Sequence, residues 1–215
     1  MFKEIIPKIE NKRIIIFGEI HGTKEIPEML SQFFVDIAKM YEFDLCLEMP
    51  VEFQNQINYF MENGNSNLLR NISFFSRKNC SDGRNSLEYI KLIETIHKIN
   101  LTNNKKIQIF CVDSLTNNQN EKEKNMADTI LDLSKNKKIF AILGDVHASK
   151  REISIGGTKI IPAGLLIFEK LKDKMFNIRI APRDKELNRE ESTFNEGFDY
   201  VINLAKVTPC SFLEN

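Results

Sequence analysis

Two apolar runs of the chain end in the same short pattern of glycine, an acid, an aliphatic residue and histidine. The runs read IIIFGEIHGT, early in the chain, and FAILGDVHAS, in its second half. The first supplies Glu19 and His21, and the second supplies Asp145 and His147. Histidine is the side chain best suited to exchange protons or bind a metal ion near neutral pH. Because two of the protein's 3 histidines lie in these motifs, the motifs are the first candidates for a functional site.

Four short runs rich in isoleucine, valine, phenylalanine and leucine predict the strands that position these residues. The runs are nearly continuous in apolar character, as expected of parallel strands covered on both faces. The predicted strands are 12–18, 43–49, 106–113 and 138–144. Apolar residues at helical spacing or amphipathic stretches between and beside them predict helices. The predicted helices are 24–41, 51–62, 85–99 and 119–135.

The pattern changes after the second motif. ISIGGTKIIPAG predicts a hairpin around Gly156 and Gly157, and FNIRIA and DYVINLA predict two further strands. The charged segment 182–197 is predicted to be a loop. The expected architecture is one α/β domain over residues 1–215, with a mostly parallel central sheet flanked by helices and antiparallel strands added toward the C-terminus.

Composition narrows the class of partner. Lysine plus arginine and aspartate plus glutamate each number 30, so no net charge favours nucleic acid or an anionic membrane surface. A small-molecule or peptide substrate is expected instead. The N-terminal MFKEIIPKIENK lacks the apolar stretch of a secretory signal, and no run approaches the roughly 20 residues of a membrane span. With 4 cysteines and no CxxC pair, the expected location is the reducing cytoplasm.

Ionisable side chains follow every predicted core strand. In an open parallel sheet, ligands bind beyond the carboxyl ends of the strands, so these side chains are expected to converge on one edge. A single acid at such a position is usually a helix cap or turn residue, and it is their coincidence that indicates a site. His97, on a predicted amphipathic helix, is expected to be structural. The converging residues are Glu19, His21, Glu48, Asp113, Asp145 and His147.

The motifs GEIH and GDVH resemble the GxxH motifs of the superfamily that groups the erythromycin esterases, the TIKI and TraB proteases and the ChaN-like haem-binding proteins. Four further segments are similar to segments of these proteins. They are LCLEMP, which closes the second strand with an acid, SDGRNSLEYIKLIETIHKIN, EKEKNMADTI and FDYVINLAKVTPC. The resemblance spans residues 12–209.

The resemblance to TIKI proteases implies metal-assisted hydrolysis. His21 and His147, with Glu19 or Glu48 as the carboxylate ligand, would hold a divalent ion such as manganese, cobalt, zinc or iron. The ion would acidify a bound water, and a nearby carboxylate would take the proton.

The resemblance to erythromycin esterases implies a metal-free version. His21 would act as general base on water while Glu48 fixes its tautomer, and Arg84 with His147 would stabilise the oxyanion. Arg84 follows Asp82 and a glycine, a context in which arginine is usually an exposed turn residue, and its role rests on the resemblance. Asp82 is expected to cap that turn.

Two further acids and the cysteines complete the interpretation. Asp113 and Asp145 are predicted to hold the histidines in register. A serine or cysteine nucleophile is not indicated, because the chain has no G-x-S-x-G motif and Cys46 and Cys111 lie in apolar strand-like runs.

The resemblance to ChaN-like proteins implies a different class, a haem- or iron-binding protein without turnover. His21 and His147 would then be axial ligands. None of the 4 tyrosines lies near a GxxH motif in sequence, which favours the hydrolase. The sequence therefore predicts a hydrolase of an ester or peptide bond, with haem binding as the alternative.

Overall fold

A six-stranded sheet forms the centre of the protein in a computed structural model that describes residues 2–78, 82–182 and 194–213. The strands of the sheet are β1 (Ile14–Glu19), β2 (Phe43–Pro50), β3 (Ile109–Asp113), β4 (Lys138–Gly144), β7 (Met175–Pro182) and β8 (Tyr200–Leu204). A separate hairpin pairs β5 (Ile153–Ile155) with β6 (Thr158–Ile160). The order in the sheet is β3-β2-β4-β1-β7-β8, and every pair in it is parallel. The α/β fold with a parallel sheet is thus confirmed.

The helices lie between the strands, as the apolar spacing predicts. They are α1 (Ile6–Ile9), α2 (Glu25–Ile37), α3 (Gln54–Asn63), α4 (Ser66–Arg70), α5 (Leu87–Asn103), α6 (Gln119–Leu133), α7 (Asp145–Ala148) and α8 (Ala163–Leu171). Short 3₁₀ turns occupy Phe2–Glu4, Val51–Phe53, Ser73–Phe75 and Lys172–Lys174. The sequence interpretation included α2, α3, α5 and α6 but not α1, α4, α7 or α8. Within the part of the chain that is described, every helix is too short or too polar to cross a membrane.

The core is divided between the two faces of the sheet. Along β1 the side chains alternate, so that Ile15 and Phe17 belong to one apolar cluster while Ile14 and Ile16 belong to the other. The first cluster includes α2, α3 and α5 and is rich in phenylalanine; the second includes α6 and α8. Since both faces are covered, the strands are apolar along nearly their whole length and all six residues of β1 are buried.

Among the named strands of the described residues, antiparallel pairing is found in the β5-β6 hairpin, and one isolated antiparallel bridge joins Thr23 to Pro209. The turn of the hairpin is made by Gly156 and Gly157, which adopt positive φ values of 57° and 81°. The two last predicted strands form β7 and β8, which run parallel to β1, because each is preceded by a connection long enough to cross back over the sheet. Most of the predicted loop 182–197 lies outside the described residues.

Candidate active site at the carboxyl edge of the sheet

Glu48 lies at the centre of a polar cluster at the carboxyl ends of the strands. Its side chain is 5% exposed. Nε2 of His21 lies 3.7 Å from Oε2, and Nε2 of His147 lies 3.4 Å from Oε1. Nη1 of Arg84 donates to Oε1 at 2.8 Å, and the backbone N–H of Gly144 donates to Oε2 at 2.6 Å. Three residues predicted from the sequence, His21, His147 and Arg84, therefore meet around the carboxylate of a fourth, Glu48.

The first histidine is paired with the acid of its own motif. Nδ1 of His21 lies 2.7 Å from Oε1 of Glu19, a residue only 2% exposed. A carboxylate only accepts hydrogen bonds, so Nδ1 carries a proton and Nε2 faces the cleft. The hydroxyl of Tyr89 donates to the same oxygen of Glu19. The residue that fixes the tautomer is therefore Glu19, which corrects the prediction that Glu48 does so.

The second histidine is paired with a glutamate from α6. Nδ1 of His147 lies 2.6 Å from Oε1 of Glu123, which is fully buried. Gln119 donates to the same oxygen, and the backbone N–H of Ala163 donates to Oε2. Three donors thus hold this carboxylate in place, and Nε2 of His147 faces Glu48 as the Nε2 of His21 does.

The carboxylates raise the pKa of both histidines. Burial by itself lowers the pKa of His21, but the hydrogen bond with Glu19 and the negative charges of Glu19 and Glu48 outweigh it and raise the pKa to about 10. Burial also lowers the pKa of His147, but the hydrogen bond with Glu123 and the negative charges of Glu123 and Glu48 raise the pKa by more than burial lowers it. At neutral pH the imidazole of His21 is therefore charged.

Glu48 is ionised in the same cluster. Burial raises its pKa, but the close approach of His21 and the positive charges of His147, His21 and Arg84 lower the pKa further than burial raises it. Arg84 is oriented by Asp82, whose carboxylate accepts from its backbone N–H at 3.0 Å and from its Nε at 2.9 Å. The predicted turn role of Asp82 is therefore confirmed.

The glycines of the two motifs meet different requirements. A Cβ on Gly144 would lie 3.0 Å from Nε2 of His21 and 3.4 Å from Oε2 of Glu48, so this glycine leaves room for the functional groups. A Cβ on Gly18 would lie 2.7 Å from Cβ of Ala148, so this glycine lets β1 approach α7. The repeated glycine therefore serves the site in one motif and helix packing in the other.

Asp113 and Asp145 contact cations rather than the histidines, which corrects their predicted role. Oδ2 of Asp113 accepts from Arg84 at 3.1 Å, and its Oδ1 lies 2.8 Å from Nζ of Lys122. Oδ2 of Asp145 accepts from Nε and Nη2 of Arg179, both at 3.1 Å. These acids hold the basic side chains that surround the cleft.

The donor set does not fit the divalent ion that the TIKI resemblance implies. Both oxygens of Glu48 are already hydrogen-bonded, one to the guanidinium of Arg84 and the other to the backbone of Gly144. A fixed cation 2.8 Å from the carboxylate opposes a second cation there. Across residues 2–78, 82–182 and 194–213, no group of three or more histidine, cysteine, aspartate or glutamate side chains is arranged to hold a metal ion.

Sequence reasoning missed Glu123 and Tyr89 as site residues. Glu123 shares one stripe of α6 with Met126, Ala127 and Ile130, all buried. An acid on the apolar stripe of a helix is a signal that it has a buried partner, and this signal was present in the sequence. Tyr89 gave no such signal, because its partner Glu19 is 70 positions away.

The residues that were predicted to be structural are so. His97 binds the carbonyl of Met61 through Nδ1 at 3.1 Å and packs against Phe60, far along α5 from the site. Cys46 and Cys111 are buried, and burial raises the pKa of both thiols, to about 12 for Cys111. Buried thiols with raised pKa values are poor nucleophiles.

The fold of the chain is similar to that of proteins of known structure. No model of a protein family matches the chain, and no curated protein sequence is similar to it. Solved structures do match. A succinoglycan biosynthesis protein is 13% identical, with a TM-score of 0.67 over 84% of this chain and 69% of its own. ChaN of Campylobacter jejuni, described with cofacial haem, is 16% identical, with a TM-score of 0.59 over 87% of this chain and 88% of its own.

The erythromycin esterase EreC, in an open conformation, is 10% identical, with a TM-score of 0.59 over 84% of this chain and 72% of its own. The chain shares the fold of these proteins. ChaN and the esterase are two of the groups named by the resemblance of the GxxH motifs, so the likeness suspected from the sequence is confirmed at the level of the fold.

Proposed function

We propose that the protein is a hydrolase that activates water without a metal ion and cleaves an ester or peptide bond. One observation carries the proposal: two histidines, each held through Nδ1 by a buried glutamate, turn their Nε2 atoms toward one carboxylate beside an arginine. A histidine oriented by a carboxylate is the usual means of moving a proton to and from a reacting oxygen or nitrogen.

His21 is the base in this scheme. Its Nδ1–H is held by Glu19, so after loss of the other proton Nε2 can accept one from water. The water oxygen attacks the carbonyl carbon, the carbonyl oxygen becomes the oxyanion of a tetrahedral intermediate, and Glu19 stabilises the imidazolium that forms. His21 then returns the proton to the leaving oxygen or nitrogen as that bond breaks.

His147 and Arg84 stabilise the oxyanion. The Glu123 carboxylate raises the pKa of His147 and so favours its charged form, in which Nε2–H is a donor beside Glu48. Arg84 adds a fixed positive charge beside the same oxygen of Glu48 that His147 approaches, and it is oriented by Asp82 and Asp113. Donors that are aimed before the reaction cost no reorganisation when negative charge develops.

The names of the structural neighbours support both functions predicted from the sequence, because one is an esterase and another binds haem. The surroundings of the histidines favour hydrolysis. Each Nε2 faces an ionised carboxylate that also binds Arg84, a charged setting that opposes an apolar haem face. Tyr89, the tyrosine in contact with the site, already donates to Glu19.

The test compares three variants on a panel of p-nitrophenyl esters and short peptides, with and without a chelator. We expect His21→Gln and His147→Gln each to lose about 10² to 10⁴ of the wild-type rate. His97→Gln, a change of the same kind outside the site, should retain it, and chelation should change nothing. A rate abolished by the chelator would overturn the metal-free scheme.

A second measurement separates the haem alternative. Haemin is titrated into the wild-type protein and into the His21→Gln, His147→Gln double variant. A stoichiometric Soret shift in the wild type that disappears in the variant, with no hydrolysis by either, would replace the hydrolase by a haem-binding protein.

A further inference from the structure

The balanced charges of the chain are unevenly distributed in the fold. Five segments at the amino ends of β1, β2, β3, β4 and β7 hold twelve lysine and arginine residues against six acidic ones; they are 8–13, 36–44, 105–106, 132–138 and 170–174. Because the chain totals are 30 and 30, the rest of the molecule has the opposite excess. These five segments form what we call the basic face, at the edge of the sheet opposite the active site.

Hydrogen bonds show that the segments of the basic face are contiguous. Nζ of Lys12 donates to the carbonyl of Asp173 at 2.6 Å. Nζ of Lys138 donates to the carbonyl of Ile9 at 2.8 Å, and Nζ of Lys137 donates to the carbonyl of Lys106 at 2.9 Å. Because side chains of one segment reach the backbone of another, the lysines form one surface rather than scattered charges.

Part of this charge is neutralised within the face. Lys39 pairs with Asp36 at 3.0 Å, Lys135 with Asp132 at 2.7 Å and Lys137 with Asp44 at 2.9 Å. The first two pairs are exposed, and such pairs are weak and screened by salt, whereas Asp44 is 7% exposed and neutralises Lys137. The three pairs still leave nine basic residues against three acidic ones in the face. The exposed lysines of the face also include Lys8, Lys106, Lys170, Lys172 and Lys174.

Two exposed apolar side chains accompany the lysines. Met40 is 54% exposed and follows Lys39 in sequence. Leu101 is 71% exposed and lines the same groove as Lys105, Lys106 and Lys137. Proteins bind to the surface of an anionic membrane through two features. Lysines attract the protein to the surface, and large apolar side chains insert a short way into it.

We infer that the basic face docks on an anionic phospholipid surface. Lysine is a compact, mobile charge suited to scattered headgroup phosphates, and the face has eleven lysines to one arginine. Nucleic-acid sites add aromatic side chains on which bases stack, whereas the large exposed side chains here are Met40 and Leu101. Docking this way turns the carboxyl edge, with its histidines, toward the solvent.

The test uses the full chain and sedimentation with vesicles of phosphatidylcholine alone or of equal parts phosphatidylcholine and phosphatidylserine. We expect binding to the anionic vesicles only, weakened by salt. The variant Lys8→Gln, Lys106→Gln, Lys174→Gln should lower the partition coefficient about fivefold for each lysine, roughly a hundredfold in total. The variant Met40→Ser, Leu101→Ser should also have a lower partition coefficient than the wild type.

The control variant is Lys78→Gln, Lys159→Gln, Lys206→Gln, which removes the same charge from exposed lysines outside the basic face. It should bind the anionic vesicles as the wild type does. Equal losses in the two triple variants, equal binding to neutral vesicles, or no binding to either vesicle would overturn the inference. Binding to a DNA duplex but not to the vesicles would also overturn it, if that binding were weakened by the triple lysine variant and unchanged in Met40→Ser, Leu101→Ser. The experiment does not depend on hydrolysis.

Discussion

The two histidines of the site are paired with buried glutamates of different origin. Glu19 is two residues from His21, on the same strand end, while Glu123 reaches His147 from α6, 24 positions away. Both glutamates are held by further donors, a tyrosine hydroxyl in one case and a glutamine with a backbone N–H in the other. The similarity of the motifs therefore does not extend to the partners that make the histidines basic.

The separate pairing predicts separate titrations. In Glu19→Gln the negative charge beside His21 is lost, so its pKa should fall from about 10 toward 6.5 while the pKa of His147 stays raised. Glu123→Gln should do the reverse. Imidazole proton NMR across a pH series measures both values, each variant serving as the other's control. A pKa of His21 that is unchanged in Glu19→Gln would refute the assigned pair.

The two glycines predict opposite patterns of damage. Gly144→Ala places a methyl group against His21 and Glu48, so hydrolysis should fall at least about tenfold while the fold persists. Gly18→Ala places one against Ala148 and Phe198, where overpacking should cost about 1–3 kcal/mol of unfolding free energy. Urea unfolding and ester hydrolysis, measured on both variants, separate the effects. Equal loss of stability in both would contradict the distinct roles.

At the scale of elements, the C-terminal segment 207–213 ties together the loops that carry the site. The backbone N–H of Cys210 donates to the carbonyl of Gly22 at 2.9 Å, next to His21. The N–H of the next residue, Ser211, donates to the buried carboxylate of Glu88 at 2.9 Å, at the start of α5. The segment thus spans from the β1-α2 loop to the helix that follows Arg84.

Glu25 provides a test of this connection. Its carboxylate accepts from the hydroxyl of Thr208 at 2.6 Å and from its N–H at 2.8 Å, and these bonds lower the pKa of Glu25. Glu25→Ala should weaken hydrolysis tenfold to a hundredfold through misplacement of His21, at a cost of about 1 kcal/mol in stability. Glu28→Ala, on the exposed side of the same helix, is the control. Equal rates in the two variants would show that the segment does not position the site.

The elements also show what the sequence could reveal. The core strands are predictable because both faces of each are buried, which leaves continuous apolar runs such as IIIF. The convergence of Glu48 with the histidines follows from the parallel sheet. The pairing of Asp145 with Arg179 and of Asp113 with Lys122 does not, because the basic partner comes from another element and its approach depends on tertiary packing. The contact of Glu123 with His147 could not be predicted for the same reason, because α6 and the second motif meet only in the folded protein.

At the scale of the whole molecule, the buried charges make stability depend on pH in a defined direction. A histidine whose pKa is raised by folding stabilises the native state fully below its unfolded pKa and loses that contribution as pH rises through the folded pKa. For His21 this window runs from about 6.5 to about 10. Glu48, whose pKa folding lowers, stabilises above its unfolded pKa of 4.5 and loses its contribution as pH falls.

The unfolding free energy should therefore peak between about pH 4.5 and 6.5 and fall by at least about 1 kcal/mol toward pH 9. Lys138 acts in the opposite sense. Burial lowers its pKa to about 8, so above that pH the folded protein no longer buries the lysine charge and the unfolding free energy rises. The His21→Gln variant isolates the histidine: it should lose most of the alkaline decline that urea titrations find in the wild type. A decline of the same size in both proteins would mean that the pKa of His21 is not raised by folding.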